Sequence, residues 1–522
     1  MKKNNIIYLL FILLCVNCAF SGCTDMEEDT TGKMTSKDFY ADPNLIPQAV
    51  GAAYAELQAY QNHWGVWGFQ TVSSDECVVP TRAPGNDWYD GGVWQDLHKH
   101  QWQVRLGQLN ALWVSLYSGI TTCNRILFDL DTYKSAMDES IYNRYKAETA
   151  VLRSFYYTLL LDLFGNIPYV NDYAGEITSY PQSPRAEVYA KVLNDILENV
   201  DYLDEKPSAD NYGRCTKPMA YAMLAKLYLN AKVFKGASSY EGADMDQVIA
   251  YCNHLINHDD YQVEPDFKAP FKVKNESCKE NIFIIPMQNG INSNGDYEFH
   301  FHKFSGHSQF RQLFGINVGC WNGGCATPSF LASFSDGDYR KKASFVYGLC
   351  FTPQGEAIMN PDLPGSQLEL TEEVESLEAA RKWNGARIQK YEYEAGMTGN
   401  MNNDLVLYRM ADIYYMKAEA ILRGGSASLS ELCSDPQFKL IRERATQPAY
   451  TPQTLTLEEL IIERGREFAW EGWRRQDLIR WDKFSKGSWT FKSAQSDNVR
   501  DLFPIPYDQI TKNPTWKQNT GY

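Results

Sequence analysis

The sequence predicts a mostly α-helical protein in which a helical scaffold carries a loop-rich irregular region and a few short strands. From residue 45 to about residue 256, apolar residues recur at intervals of three and four, and turn residues separate the runs. Two stretches, 62–100 and roughly 263–403, interrupt this pattern with clusters of Gly, Pro, Asp and aromatic residues. Helical periodicity then returns, so we expect scaffold helices on both sides of the second stretch.

Length and charge narrow the range of partners. The chain of 522 residues is too long for one ordinary hydrophobic core, and its 44% hydrophobic and 22% charged residues are typical of globular proteins. Fifty basic and 65 acidic residues give a net charge of −15, and the sequence has no long run of Lys or Arg. Because this charge repels phosphate backbones, we expect no nucleic-acid partner.

Residues 1–22 have the pattern of a lipoprotein signal peptide. Two lysines precede an apolar run over 6–16, and the small residues Ser21 and Gly22 come directly before Cys23. The run is shorter than the roughly 20 residues that a membrane-spanning helix needs. The four residues that end at Cys23 resemble the bacterial lipobox, so we expect Cys23 to be lipidated. Ordinary cleavage nearby, with Cys23 as a free thiol, is the alternative.

Residues 23–40 are predicted to form an acidic flexible tether. Asp and Glu follow the cysteine closely, and Thr, Gly and Ser come next. Such a polar composition buries too little apolar surface to hold a fixed structure, so the segment is expected to link the anchor to the folded chain.

Each scaffold helix is predicted from an apolar stripe and from the residues that end it. The helix that ends before Gly165 and Pro168 has the clearest stripe. Small residues such as Ala220, Ala222 and Ala225 allow close approach of neighbouring helices, which favours tetratricopeptide-like helical pairs although no strict repeat is found. The predicted helices cover residues 142–164, 188–203, 217–234, 246–256, 407–422, 436–444 and 457–480.

The two irregular stretches are the expected location of a ligand site, because long structured loops are usually functional. The first stretch contains Trp64, Trp67, Phe69, Trp88, Tyr89 and Trp94. The second begins with predicted strands at 282–285 and 297–301 and continues to a Gly-rich run that contains Trp321 and Asn322.

Several motifs along the chain can be compared with a known family. They are W-x-x-x-Y at 113–117, CNRIL at 123–127, FGNIP at 164–168, GRCTK at 213–217, YRMADI at 408–413, ER-x-x-EF at 463–468, EG-x-R-x-x-DLIRW at 471–481, LFPIP at 502–506 and QNTGY at 518–522. In this order, and with a lipobox in front, they resemble the SusD/RagB family of nutrient-uptake lipoproteins in the outer membrane of Bacteroidetes. The glutamates at 463, 467 and 471 recur every four residues among arginines, which predicts ion pairs more than acid–base catalysis.

The resemblance implies a division of the chain and a cellular role. Residues 41–262 correspond to the helical N-terminal part with an aromatic binding loop, and 263–522 to the C-terminal part. Members of the family bind oligosaccharides and cap a SusC-like TonB-dependent transporter. The acidic segment after Cys23 resembles a surface-sorting signal, so the implied location is the extracellular side of the outer membrane, with a lipid anchor.

The resemblance and the composition together nominate a glycan site. The segment around Asp75, Arg82, Trp88 and Asp90 is similar to the one from which family members draw part of their site, and Tyr297, Trp321 and Asn322 are the expected contribution of the second stretch. A pyranose presents a C–H face that stacks on an indole and hydroxyls that need polar partners. For each tryptophan the alternative is packing inside the loops, and Trp64, Trp67, Trp94 and Trp102 are expected in the core.

The leading hypothesis is therefore a glycan-binding lipoprotein without catalytic activity, cofactor or metal. Capture of peptides, as by RagB-like relatives, is one alternative. A surface glycoside hydrolase is another, although no pair of carboxylates stands out as acid and nucleophile. The pairs His300/His302 and His254/His258 have spacings that could hold a metal, but core or solvated histidines are the expected outcome.

Overall fold

The computed structural model describes residues 34–173, 180–288, 300–495 and 497–522. The predicted signal peptide, most of the tether, Cys23 and Tyr297 lie outside these residues. Within them, no helix combines the length and the apolar character that crossing a membrane requires.

The first half of the chain is mostly helical, as predicted, with loops and short strands between the helices. Its helices are α1 (Ser36–Ala41), α2 (Ile46–Ala55), α3 (Gln58–Gln61), α4 (Val66–Val72), α5 (Val93–His98), α6 (Gly107–Thr132), α7 (Glu139–Phe164), α8 (Arg185–Asn199), α9 (Lys217–Leu229), α10 (Ala231–Lys235) and α11 (Gly242–Ile256). Helices α6 and α7 pack against each other, α7 packs on α8, and α9 packs on α11. These successive pairs form the predicted tetratricopeptide-like scaffold.

Helix α7 is the central helix of this scaffold. Every residue from Ala147 to Phe164 is buried, because other helices or loops cover all of its faces. It ends at Gly165, whose φ of 74° is easily adopted by glycine and costs other residues energy. A Cβ atom at this position would lie 2.6 Å from Leu502 Cδ1, so the close approach of the C-terminal segment also requires glycine.

The predicted helix over 217–234 is divided in two at Asn230. The side chain of Asn230 donates through Nδ2 to the carbonyl of Lys226 at 2.8 Å and accepts from Arg480 at 3.1 Å. Ahead of this break, Ala220, Ala222 and Ala225 are fully buried. The small side chains therefore lie at helix–helix contacts, as their spacing predicted.

The strands are short and mostly connect distant segments. They are β1 (Cys77–Val78), β2 (Arg82–Ala83), β3 (Ile167–Pro168), β4 (Gln182–Ser183), β5 (Asn281–Ile285), β6 (Cys325–Ala326), β7 (Phe345–Val346), β8 (Gly348–Leu349), β9 (Glu369–Leu370), β10 (Ala380–Arg381), β11 (Arg387–Ile388) and β12 (Leu405–Arg409). Antiparallel pairing of β1 with β6 and parallel pairing of β2 with β10 join the first irregular stretch to the second.

The remaining helices complete the scaffold. They are α12 (Phe301–Ser305), α13 (Phe310–Phe314), α14 (Pro328–Leu331), α15 (Tyr339–Ser344), α16 (Met410–Leu422), α17 (Leu429–Ser434), α18 (Pro436–Glu443), α19 (Leu457–Glu467), α20 (Arg474–Arg480) and α21 (Tyr507–Lys512). Helix α16 packs on α11 and so continues the helical pairs of the first half.

Three further segments differ from the sequence prediction. Residues 407–409 belong to β12, which pairs antiparallel with β5, so the helix predicted from 407 begins at Met410. The helix predicted over 457–480 is two helices, because Trp470 and Gly472 adopt positive φ values of 59° and 83° in the turn between them. Phe301, expected in a strand, lies in α12.

Buried ion pairs hold the second half together. Glu467 accepts hydrogen bonds from Arg409 at 2.9 Å, Arg444 at 2.7 Å and Arg340 at 3.1 Å. All four side chains are buried, and the arginines come from three separate segments. The glutamates of α19 therefore form ion pairs, as predicted, but these partners lie outside their own helix. The arginines around Glu463 lower the pKa of that carboxyl to about 2, although burial alone would raise it.

We expect Glu467→Gln to destabilise the protein by about 3–5 kcal/mol, because removing one partner leaves buried arginines without their counter-charge. The free energy of unfolding, measured by urea denaturation at neutral pH, tests this expectation. The matched control is Glu187→Gln, which breaks an exposed pair with Lys191 and should cost less than about 0.5 kcal/mol. Equal losses in the two variants would contradict a structural role for the buried pairs.

Candidate functional site

The two irregular stretches meet in a group of rings that we call the aromatic cluster. Trp64 stacks on Trp94 with ring centroids 3.9 Å apart, and His300 meets Trp321 edge to face at 4.7 Å. The rings come from segments more than 200 residues apart, and β1 and β2 hold those segments in register. The members of the cluster are His63, Trp64, Trp88, Trp94, His300, Phe304 and Trp321.

Trp88 is the link between the two halves of the cluster. Its indole Nε1 donates to the main-chain carbonyl of Trp321 at 2.7 Å. Its ring lies over Gly323, where a Cβ atom would come within 2.5 Å of the indole. With a φ of 65°, Trp88 also adopts a backbone conformation that is unfavourable for a bulky residue. Several contacts thus fix this half-buried side chain in one position.

Trp321 provides the open aromatic surface of the cluster. Its side chain is 39% exposed, and its main-chain N–H donates to the carbonyl of Lys303 at 2.6 Å. The Lys303 ammonium lies 5.9 Å from the centre of the indole. An exposed indole with a fixed backbone can stack on a flat apolar face of a ligand at little cost in conformational entropy.

Arg82 and Asn322 were nominated as ligand contacts from the sequence, but the structure pairs their polar groups with the protein. Arg82 is completely buried and donates to the carbonyls of Asn322 at 3.0 Å, Gly323 at 2.8 Å and Asn384 at 2.8 Å. The Asn322 side chain accepts from Arg387 at 2.8 Å and donates to the Lys382 carbonyl at 3.0 Å. Because protein groups occupy these donors and acceptors, both residues position the loop that carries Trp321 and leave contact with a ligand to other side chains.

Asp75 and Asp90 differ in whether their carboxylates are available to a ligand. Asp75 forms a two-pronged ion pair with Arg474 at 2.7 and 2.8 Å, which ties the first irregular stretch to α20. Asp90 is exposed and accepts from the Trp94 indole at 2.7 Å. Asp75 is thus committed to the scaffold, whereas Asp90 presents its carboxylate at the rim of the cluster. Tyr297 lies outside the described residues.

A cavity of about 440 Å³, the first cavity, opens beside the cluster. It is lined by His63, Trp64 and His300 from the cluster, by Glu56 directly after α2, and by Gln108 and Ser115 of α6. The sequence prediction missed this contribution, because Trp64 was expected in the core and is only partly buried. The run Asn-His-Trp-Gly directly after α3 was the available signal. Trp67, Trp94 and Trp102 are buried as expected.

A histidine pair forms one wall of the first cavity. The Nδ1 atoms of His63 and His300 are 2.8 Å apart, so one donates and the other accepts. Burial, with a smaller effect from His300, lowers the pKa of His63 to about 3. His63 is therefore neutral at physiological pH. In the described part of the chain, no three His, Cys, Asp or Glu side chains come together in a way that could hold a metal ion.

Comparisons with known proteins identify relatives of the whole chain. The model of the SusD family matches residues 279–522, and a second model, described as starch-binding and associating with the outer membrane, matches residues 34–229. The SusD-like protein P2 of Formosa agariphila is 26% identical, with all of both chains covered. The starch-binding protein SusD of Bacteroides thetaiotaomicron is 23% identical over 86% of this chain and 84% of its own length.

A solved structure has the same fold. Surface glycan-binding protein A from Bacteroides thetaiotaomicron superposes with a TM-score of 0.73 at 22% identity, covering 92% of this chain and 100% of that one. The same protein in complex with laminarihexaose superposes with a TM-score of 0.72, again at 22% identity, covering 91% and 99% of the two chains.

The histidine wall makes stability depend on pH. The folded-state pKa of His63 is about 3, below the ordinary 6.5. Its contribution to the free energy of unfolding is therefore complete above pH 6.5 and is lost as the pH falls toward 3, because the unfolded chain takes up the proton first. Between pH 7 and pH 5 we expect a loss of about 1–2 kcal/mol from this side chain. Urea denaturation of the wild type and of His63→Asn at both pH values measures it.

His63→Asn should be less stable at pH 7 but should lose less between pH 7 and pH 5 than the wild type. Identical slopes in the two proteins would mean that His63 titrates normally in the folded state. Titratable groups that do not contact His63 are common to both proteins and cancel in the difference, whereas His300, whose Nδ1 lies 2.8 Å from that of His63, belongs to the effect that is measured.

Proposed function

Since the chain belongs to the SusD family, we propose that it is a cell-surface lipoprotein that binds oligosaccharides and delivers them to a SusC-like TonB-dependent transporter. The observation that carries this proposal is the exposed Trp321 indole, fixed through the 2.7 Å hydrogen bond between Trp88 and its main chain. A rigid, partly exposed indole beside a cavity suits the apolar face of a sugar ring.

The ligand contacts follow from the exposure of each side chain. Trp321 and Trp88 supply the stacking surface, and the exposed Asp90 accepts hydrogen bonds from sugar hydroxyls. Tyr297 is proposed as a further ring of the same site. Arg82, Asp75 and Asn322 act as positioning residues, since their polar groups already bind the protein.

The ligand class is supported by the relatives. Surface glycan-binding protein A has been seen with laminarihexaose, and another relative is named a starch-binding protein. Both ligands are neutral glucans, and the match of fold and family supports a glycan as the ligand here.

Binding without hydrolysis is part of the proposal. A glycoside hydrolase needs two carboxyl groups that face the same glycosidic bond. Here Asp75 is neutralised by Arg474, and the Asp90 carboxylate accepts from the Trp94 indole. Of the two aspartates nominated from the sequence, only Asp90 is therefore available to a ligand, and a single available carboxylate favours capture of the glycan over cleavage.

The anchor is proposed at Cys23, where a lipidated cysteine with more than one acyl chain would hold the protein on the outer membrane. Cys23→Ala should move the protein from the membrane fraction to the soluble fraction of the native cell. Fractionation followed by immunoblotting tests this. The membranes are washed with alkaline carbonate, which releases proteins held only by contacts with other proteins, and retention of the variant after this wash would contradict an anchor at this residue.

We expect the wild type to be retarded in native gels that contain a neutral polysaccharide, without release of reducing ends. The panel comprises laminarin, starch, xylan, galactomannan and polygalacturonate, with the detergent-solubilised mature protein as the sample. Trp321→Ala should weaken binding at least about tenfold, or about 1.4 kcal/mol, because the stacking surface is removed. Tyr202→Ala, a similarly exposed aromatic side chain on the scaffold, should bind as the wild type does.

Each other result contradicts a different part of the proposal. Release of reducing ends would identify an enzyme. Absence of retardation by every glycan, with binding of peptides instead, would identify a peptide-capturing relative. Equal retardation of wild type and Trp321→Ala would place the glycan elsewhere on the protein.

A further inference from the structure

A second cavity lies on the outer face of α6, next to the first. Its volume is about 700 Å³, larger than that of the first cavity. Its lining includes Trp113, Val114 and Tyr117 of α6, Tyr173 after β3, and Trp516 near the C-terminus. Val114 and Ser118 line both cavities, so the two are contiguous across this helix.

One stripe of α6 forms the floor of both cavities. Residues three and four apart share a helix face, and the stripe consists of Gln108, Ala111, Ser115, Ser118 and Thr122. The stripe residues from Gln108 to Ser118 line the first cavity, and Ser118 and Thr122 line the second, so Ser118 belongs to both. At 1.5 Å per residue the stripe is about 21 Å long, much longer than one sugar ring. Its mostly small side chains leave room above the helix.

We propose that the two cavities form one extended groove and that a long, neutral glycan chain binds along it, from Trp321 through the first cavity into the second. This inference rests on the proposed function, which supplies a glycan at the aromatic cluster. It adds an extension subsite on α6 and a preference for long chains over short ones.

The second cavity combines stacking surfaces with hydrogen-bonding groups. Tyr173 is 45% exposed, and the Trp516 indole is fixed by donation from Nε1 to the carbonyl of Tyr180 at 2.8 Å. Thr121 and Asn513 add a hydroxyl and an amide to the lining. Flat aromatic rings with a polar rim suit sugar rings, as they do at the first cavity.

The junction of the cavities is also polar. The Ser118 hydroxyl, which lines both cavities, donates to the carboxylate of Glu56 at 3.1 Å. Next to it, Val114 is 50% exposed and presents an apolar surface to both sides. A sugar chain that crosses the junction therefore contacts an apolar surface and a hydrogen-bond acceptor there, as it does in each of the two cavities.

The charged residues that line the two cavities favour a neutral glycan chain. Among the described residues that line the two cavities, the carboxylates are Glu56 and Asp172, and there is no lysine or arginine. Arg82 is buried and bound to carbonyls, and Lys303, whose ammonium lies 5.9 Å from the centre of the Trp321 indole, is outside the lining of both cavities. Acidic polysaccharides would therefore meet repulsion along the groove.

The test measures binding as a function of chain length. The polysaccharide of the panel that retards the wild type is partially hydrolysed, and its trisaccharide and octasaccharide fractions are titrated calorimetrically. The wild type should bind the octasaccharide at least about tenfold more tightly than the trisaccharide. The double variant Tyr173→Ala/Asn513→Ala should lose most of that advantage while binding the trisaccharide normally. Tyr202→Ala is the matched control for removal of an exposed tyrosine and should retain it.

The remaining outcomes separate this inference from the function on which it rests. Equal wild-type affinity for both lengths, or an equal loss for both in the double variant, would overturn the extended groove while glycan binding stands. An unchanged octasaccharide affinity in the double variant would overturn it too. Tighter binding of a polygalacturonate octasaccharide would overturn the neutral preference. If no polysaccharide binds, the proposed function and the groove fail together.

Discussion

The interaction on which the rest of the structure depends is the buried network of arginines and glutamates around α19. Glu467 and Glu471 bind Arg340, Arg409 and Arg444, which come from three separate segments of the chain. The turn that follows α19 then reaches the first irregular stretch, because the main-chain N–H of Trp470 donates to Glu76 Oε2 at 2.9 Å. Through Trp470 and Glu76, the aromatic cluster is thus connected to a network of charges that cannot be removed one at a time without leaving others uncompensated.

Burial also decides the protonation of groups beside the site. It raises the pKa of Glu76 to about 8, so this carboxyl is mostly protonated at neutral pH and carries no charge into the core. Its contribution to stability is complete below the ordinary pKa of about 4.5 and is lost as the pH rises through 8. The shift at His63 has the opposite consequence, because there burial lowers the pKa of a base. His63 and Glu76 are therefore both mostly neutral at pH 7, and acid and alkali destabilise the first irregular stretch by different routes.

The sequence predicted helices well where an apolar stripe and an end signal agreed, as in α7 with Gly165. It failed where the backbone depends on distant partners. The residues Leu407 and Tyr408 fit a helical period, yet pairing with β5 makes them a strand. In the site, the aromatic character of Trp88 and Trp321 was evident from composition and resemblance, and the structure brings the two residues into hydrogen-bonding contact. The partners of Arg82 were not predictable, because they are main-chain carbonyls of residues 322–384 and carry no sequence signal.

The groove on α6 could not be predicted from the sequence either. In sequence, Ala111, Ser115 and Ser118 read as an ordinary solvent-facing stripe, and small residues there predict nothing about a ligand. The stripe becomes the floor of a groove only because Trp516, about 400 residues later, and Tyr173 form walls beside it. The 26-residue helix α6 is rigid. The aromatic cluster is instead carried mainly by loops, which buried charges and contacts to main-chain carbonyls hold in position. Adding contacts along a rigid floor lengthens the bound chain without ordering further loops, so each added sugar ring contributes to affinity with little loss of protein entropy.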